Sequence, residues 1–123
     1  MNIIQKQIRT RFVKQYANTR IRSVCRDEKQ YYVSVDGEGS NFCLNLNPPR
    51  DHKSNRIWFN INLFGIRVRC FCSCMTTEGR FSGLCKNFQT PARPLNPHDL
   101  AILFPNNQSS SSLFSPPSSF LLN

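Results

Sequence analysis

Residues 41–88 read NFCLNLNPPRDHKSNRIWFNINLFGIRVRCFCSCMTTEGRFSGLCKNF and hold five of the six cysteines and one of the two histidines. Within this stretch, residues 56–62 alternate apolar and polar side chains, which predicts a β-strand with one apolar face. A glycine follows, and residues 66–71 alternate again, with Arg67 and Arg69 on the face opposite the apolar residues. The two runs therefore predict a β-hairpin.

The same stretch carries residues that bind metals. Cysteine thiolates and histidine are the usual ligands of structural zinc, and such sites draw four of them from turns and strand ends. Spacing alone leaves the set open, because side chains at i, i+2 and i+4 of a strand point to the same face, so Cys72 and Cys74 compete with Cys70. The candidates are Cys43, His52, Cys70, Cys72, Cys74 and Cys85. Cys25 and His98 lie outside the cluster, and we expect neither to bind.

The size of the chain indicates that it needs such a site. Residues 105–123 are uncharged and rich in Ser, Pro and Asn, a composition that predicts disorder. Residues 1–29 form a basic arm, so the domain is expected at residues 30–104, a size at which a metal or disulfides usually supplement the core. The first residues do not resemble a secretory signal, which favours zinc over disulfides. No run reaches transmembrane length, so we expect a soluble, intracellular protein without membrane contact.

The charge lies mostly towards the N-terminus. The formal net charge is +9, and residues 1–30 hold eight of the sixteen Lys and Arg. Such an excess makes a nucleic acid the first partner to consider, although a solvated basic helix or a targeting-like segment would have the same composition. The apolar spacing in residues 3–16 predicts a helix in this arm.

The remaining elements complete the predicted fold. Residues 30–35 are aromatic and β-branched and end at an Asp-Gly turn, and residues 41–47 alternate, so both are expected to be strands. Residues 98–104 follow Asn96-Pro97, a helix-start signal. The prediction is a small, β-rich α+β domain stabilised by zinc, with a short C-terminal helix and a disordered Ser/Pro tail.

Several short motifs also suggest a family. FCLN at residues 42–45, HKSN at 52–55 before the strand, Arg69-Cys70, and LCKNF at 84–88 together resemble the C-terminal zinc-binding module of the herpesviral primase and of PrimPol. The resemblance covers residues 31–104. It implies that the metal is held by one Cys, one His and two later Cys, namely Cys43, His52, Cys70 and Cys85. Cys72 and Cys74 are extra here, and the interval from Cys70 to Cys85 is longer than in PrimPol, so both stay alternates.

No catalytic set accompanies the motifs. Asp36 and Glu38 form an Asp-x-Glu pair, as in primases that bind two Mg²⁺ ions, but the other carboxylates that such catalysis needs are missing, and turn chemistry explains the pair. The chain is therefore expected to be non-catalytic by itself, an accessory module or fragment of a DNA primase. The resemblance implies single-stranded DNA or an RNA/DNA primer-template as partner, a catalytic primase or helicase subunit, and work in the nucleus or a viral replication compartment.

Nucleic-acid contacts are expected from basic residues around the hairpin and metal, and from one aromatic platform that either stacks on bases or packs under the arm. These residues are Lys53, Arg56, Trp58, Arg67, Arg69, Arg80 and Lys86. Two alternatives remain: a stand-alone zinc-dependent protein-interaction module, and a truncated gene product without activity.

Overall fold

The computed structural model describes residues 2–12 and 14–105. Helix α1 spans Ile3–Arg11, and six strands follow: β1 Thr19–Arg26, β2 Tyr31–Gly37, β3 Phe42–Cys43, β4 Arg50–Asp51, β5 Ile57–Asn62 and β6 Gly65–Cys70. A 3₁₀ helix at Cys85–Asn87 and helix α2 at Pro97–Leu103 complete the chain. The predicted tail lies, apart from Pro105, outside the described residues.

The centre of the fold is an antiparallel four-stranded sheet in the order β1-β2-β5-β6, and β3 and β4 form a separate two-stranded ribbon. The predicted hairpin is confirmed: β5 pairs with β6 from Ile57↔Cys70 to Asn62↔Gly65. One sheet face carries the alternating apolar side chains that the sequence indicated, and it forms the core. Phe12 and Tyr16 pack on this face, with ring centroids 5.6 and 5.4 Å from that of Phe59.

The basic segment 1–29 is part of the same fold, and the expected boundary after residue 29 is not a structural one. Helix α1 buries Ile4 and Ile8 in the core, and β1 pairs with β2 along its length. The helix ends at Arg11, short of residue 16. Sequence reasoning missed β1 because its arginines and exposed side chains hide any apolar alternation, as is common for an edge strand.

The strand expected at residues 41–47 was too long. Only Phe42–Cys43 is extended, because the chain turns at once after Cys43 and buries the polar side chain of Asn45. The other predicted elements differ from the observed ones by one or two residues at their ends.

The C-terminal helix packs against the N-terminal one through a buried carboxylate. Asn96 caps α2 by accepting a hydrogen bond from the Asp99 backbone N–H, and the Asp99 carboxylate accepts from Gln7 and lies 3.4 Å from the Lys6 ammonium. Burial alone would raise the pKa of Asp99, but the hydrogen bonds from Gln7, Lys6 and Asn96 outweigh it and lower that pKa. The contact therefore joins the two ends of the described chain.

No helix in the described part of the chain is long and apolar enough to cross a membrane.

Candidate metal centre

The β3–β4 ribbon brings the first two candidate ligands together. Cys43 ends β3 and His52 directly follows β4, and the two strands pair at Cys43↔Arg50. The His52 backbone N–H donates to the Asn41 carbonyl at 2.9 Å, and the Asn41 amide donates to the His52 carbonyl at 3.2 Å. The proline-containing loop between the strands thus returns the chain beside Cys43.

The second pair comes from the end of the hairpin and the short 3₁₀ helix. Cys70 is the last residue of β6, and Cys85 is the first residue of the 3₁₀ helix. Arg69 connects the two segments, because its Nε donates to the Phe88 carbonyl at 3.0 Å and its Nη2 donates to the Lys86 carbonyl at 3.4 Å. Cys85 is therefore held beside Cys70 although fourteen residues separate them.

The four side chains form one compact cluster. The ligand atoms of Cys43, His52, Cys70 and Cys85 all lie within 4.8 Å of one another, which is close enough to hold a metal ion. The Cys70 Sγ lies 3.4 Å from the His52 Nε2. Tetrahedral zinc, with bonds of about 2.3 Å to sulfur and about 2.1 Å to nitrogen, would separate such a pair by about 3.6 Å. The donor set and its spacing therefore fit zinc, without identifying the metal.

Hydrogen bonds favour a thiolate at Cys43, against the effect of burial. The three cysteines are buried and His52 is half-buried. The pKa of Cys43 is lowered to about 5, chiefly by a hydrogen bond from the Cys70 side chain, with further donation from the backbone N–H groups of Asn45 and Leu46. The same shared proton, together with burial, raises the pKa of Cys70. Because the two sulfurs compete for one proton, a divalent cation bound between them can replace that proton.

Donors outside the cluster also reach its sulfurs. The Cys72 backbone N–H points at the Cys70 Sγ at 3.4 Å, and the Asn45 side-chain amide points at the Cys85 Sγ at the same distance. Hydrogen bonds of this kind orient metal ligands and disperse thiolate charge. The arrangement is therefore more than a chance grouping of thiols.

Asn45 is a residue that sequence reasoning missed. Its side chain is fully buried; the amide nitrogen also donates to the Gly83 carbonyl at 3.1 Å, and the oxygen accepts from the Ser82 backbone N–H at 2.8 Å. It therefore connects the turn after Cys43 to the segment before Cys85. No local signal indicated this role, because its partners lie far away in the sequence.

The remaining cysteines are not members of this four-residue cluster. Strand β6 ends at Cys70, so the alternation that would have placed Cys72 and Cys74 beside it stops there. Cys72 is buried with its sulfur 3.9 Å from the Arg80 Nη2, whereas Cys74 and Cys25 are exposed.

The predicted nucleic-acid residues fall into two groups. Lys53, Arg56 and Lys86 are exposed and Arg67 is half-buried, so all four are accessible to a ligand. Arg80 instead lies against the metal cluster, where its guanidinium faces Cys72 and Cys85, and Arg69 is bonded to backbone carbonyls. These two arginines are thus largely occupied by the protein itself.

Trp58 lies on the sheet face opposite the core, whereas the described residues of both helices pack on the core side. It is half-buried between Tyr32 and Phe71, with ring centroids at 5.9 and 5.8 Å, and the Arg69 guanidinium lies 5.2 Å from its centroid.

The acidic pair that the sequence offered is bonded within the protein: Asp36 accepts a hydrogen bond from Arg20, and Glu38 accepts one from Asn18.

Comparison of the chain with known protein families, curated proteins and solved structures found no match.

Proposed function

We propose that the chain is a zinc-stabilised module that binds single-stranded nucleic acid. The observation that carries the proposal is the cluster of Cys43, His52, Cys70 and Cys85 directly beside an arginine-rich sheet face. When bound, zinc would connect the ribbon, the end of the hairpin and the 3₁₀ helix. Four protein ligands fill a tetrahedral site, so this site supports a structural role better than hydrolysis of a substrate.

The kind of module that we propose is the accessory part of a DNA primase. The motifs around the four ligands support this, as does the accessible basic surface of Lys53, Arg56, Arg67 and Lys86. Such a module would contact the template or the 5′ end of a primer while a catalytic primase or helicase subunit performs the chemistry. Its place of work would be the nucleus or a viral replication compartment.

A second candidate, a zinc-dependent protein-interaction module, is favoured by one observation. In the loop between Cys70 and Cys85, Met75 is 72% exposed to solvent and Phe81 is 73% exposed. Large apolar side chains exposed in one loop can form a surface that contacts another protein. Binding of a protein partner with no binding of DNA or RNA would select this function.

The test combines metal content with binding. Mass spectrometry of the native protein should find one zinc ion per chain, and fluorescence anisotropy should show that single-stranded DNA binds more weakly as salt rises. Arg56→Gln with Arg67→Gln should reduce the salt slope by about 1.4, since each phosphate contact on a single strand contributes about 0.7. Lys14→Gln, which removes one charge beside Glu38, Phe42 and Asp51 and away from this face, is the control for each single arginine replacement and should leave the slope unchanged. No dependence on salt, or no binding, would refute the proposal.

A further inference from the structure

The outer face of the four-stranded sheet carries a row of three aromatic rings. Tyr32 on β2, Trp58 on β5 and Phe71 just after β6 follow one another across the strands, with ring centroids 5.9 and 5.8 Å apart. Phe71 is 55% exposed, and the Trp58 and Phe71 planes differ by only 29°. Both helices contribute their buried residues to the core on the other face, so within residues 2–12 and 14–105 neither helix covers the row.

The row is held in place by the fold. The Tyr32 hydroxyl donates to the Asp27 carboxylate at 3.0 Å, and the Arg69 guanidinium lies over the Trp58 ring while bonded to the backbone of the 3₁₀ helix region. Because these side chains are already ordered, a ligand that stacks on them loses little further conformational freedom.

Positive charge surrounds the end of the row at Phe71. The register of β1 against β2 shifts between Ile21, opposite Val35, and Ser23, opposite Ser34. Arg22 lies at this irregularity on the outer face. Arg22, Ser34, Asn55 and Arg56 line a hollow of about 270 Å³ whose rim includes Phe71. Arginine, hydroxyl and amide groups together suit a phosphate.

Two carboxylates lie on this face. Asp36 forms an ion pair with Arg20 at 3.2 Å, whereas Asp27 keeps its charge while it accepts the Tyr32 hydroxyl. The arginines at positions 20, 22, 56, 67 and 69 outnumber them, so the face presents a net positive charge beside the rings, which complements a chain of phosphates with unstacked bases.

We propose that the outer face of the sheet binds single-stranded nucleic acid by stacking two unpaired bases on the Tyr32–Trp58–Phe71 row, with a backbone phosphate in the hollow beside Arg22 and Arg56. This inference rests on the proposed function, and it specifies that bases as well as phosphates are bound. Stacking is tolerant of sequence, so no strong base preference is expected.

The test uses the full chain and two ligands, a short oligothymidylate and an abasic oligonucleotide of equal length. Trp58 is the single tryptophan, so its fluorescence reports directly on the row. We expect oligothymidylate to bind more tightly than the abasic strand and to quench Trp58. Phe71→Ala should weaken oligothymidylate binding by about 5- to 140-fold and leave abasic binding unchanged.

Phe64→Ala is the matched control, because Phe64 is 74% exposed in the β5–β6 turn, about 20 Å along the hairpin from Phe71. It should bind both ligands as the wild type does. Equal binding of the two ligands without quenching would overturn the stacking inference and leave the proposed function standing. Binding of neither ligand by zinc-loaded protein would refute both. An equal loss in the Phe64 and Phe71 variants would also refute the assigned surface.

Discussion

Replacement of Asn45 by Ala would test how the metal centre is built. The substitution removes hydrogen bonds to the Gly83 carbonyl, the Cys85 sulfur and the Ser82 backbone N–H. Each such bond contributes about 1 kcal/mol net, so the free energy of unfolding should fall by about 3 kcal/mol. That is a large share of the roughly 5–15 kcal/mol typical of a domain. Because the Cys85 sulfur loses its donor, zinc affinity should also fall, by about 10- to 100-fold.

Two measurements separate these effects. Urea unfolding followed by Trp58 fluorescence gives the stability, and the midpoint should drop while the denaturant slope stays constant. Competition with a chromophoric chelator gives the zinc affinity. Asn87→Ala is the matched control: Asn87 is exposed and lies two residues after Cys85, so its replacement should change stability by less than about 0.5 kcal/mol.

The outcome that would refute the reasoning is specific. If Asn45→Ala behaves like Asn87→Ala in both assays, the buried amide does not hold the Cys85 segment. Asn45→Asp adds a sharper comparison, because aspartate keeps the acceptor for Ser82 but places a negative charge beside a thiolate. It should lower zinc affinity more than Asn45→Ala does.

Three other predictions concern the metal and the helix contact. A strong chelator should unfold the domain, as loss of far-UV circular dichroism would show, whereas retained structure without metal would mean that the core suffices. Replacement of any one ligand by alanine should abolish folding; these variants are Cys43→Ala, His52→Ala, Cys70→Ala and Cys85→Ala. Cys25→Ala should have no effect, and Cys72→Ala and Cys74→Ala should have milder effects. Zinc content and thermal melts would show the difference. The lowered pKa of Asp99 means that it stabilises the fold above its unfolded pKa of about 4, and that this contribution is lost as pH falls through the folded value. In Asp99→Asn, the free energy of unfolding should therefore change less between acid and neutral pH than in the wild type. An unchanged pH dependence would show that the Asp99 contact does not stabilise the fold.

The local pattern was enough to predict the hairpin and the final helix. Residues 57–62 alternate in a way that only a strand with one buried face satisfies, and Asn96-Pro97 begins a helix with its own cap. Local signals of this kind depend on neighbours in sequence, so they can be read without the tertiary structure. The candidate ligands could also be named, because only a few residue types bind zinc tightly.

The choice among those candidates depended on distant contacts. Nothing local distinguishes Cys70 from Cys72, and the strand end after Cys70 together with the Arg69 bonds to the Lys86–Phe88 backbone decides which thiol lies beside Cys85. Strand β1 likewise could not be predicted from its sequence, because it is stabilised by pairing with β2 and has no clear alternation of apolar and polar residues.

The sequence by itself thus determined which chemistry is available: thiols, an imidazole, arginines and a few rings, with periodicity that assigns side chains to faces. Only the tertiary structure decided which of them meet, because Cys43, Cys85 and Asn45 come together through loops whose paths no short-range pattern encodes. The aromatic row of Tyr32, Trp58 and Phe71 has the same origin. Its members come from three segments: strand pairing places Tyr32 and Trp58 on one face, and the hydrogen bond from the Phe71 backbone N–H to the Arg56 carbonyl brings Phe71 beside them.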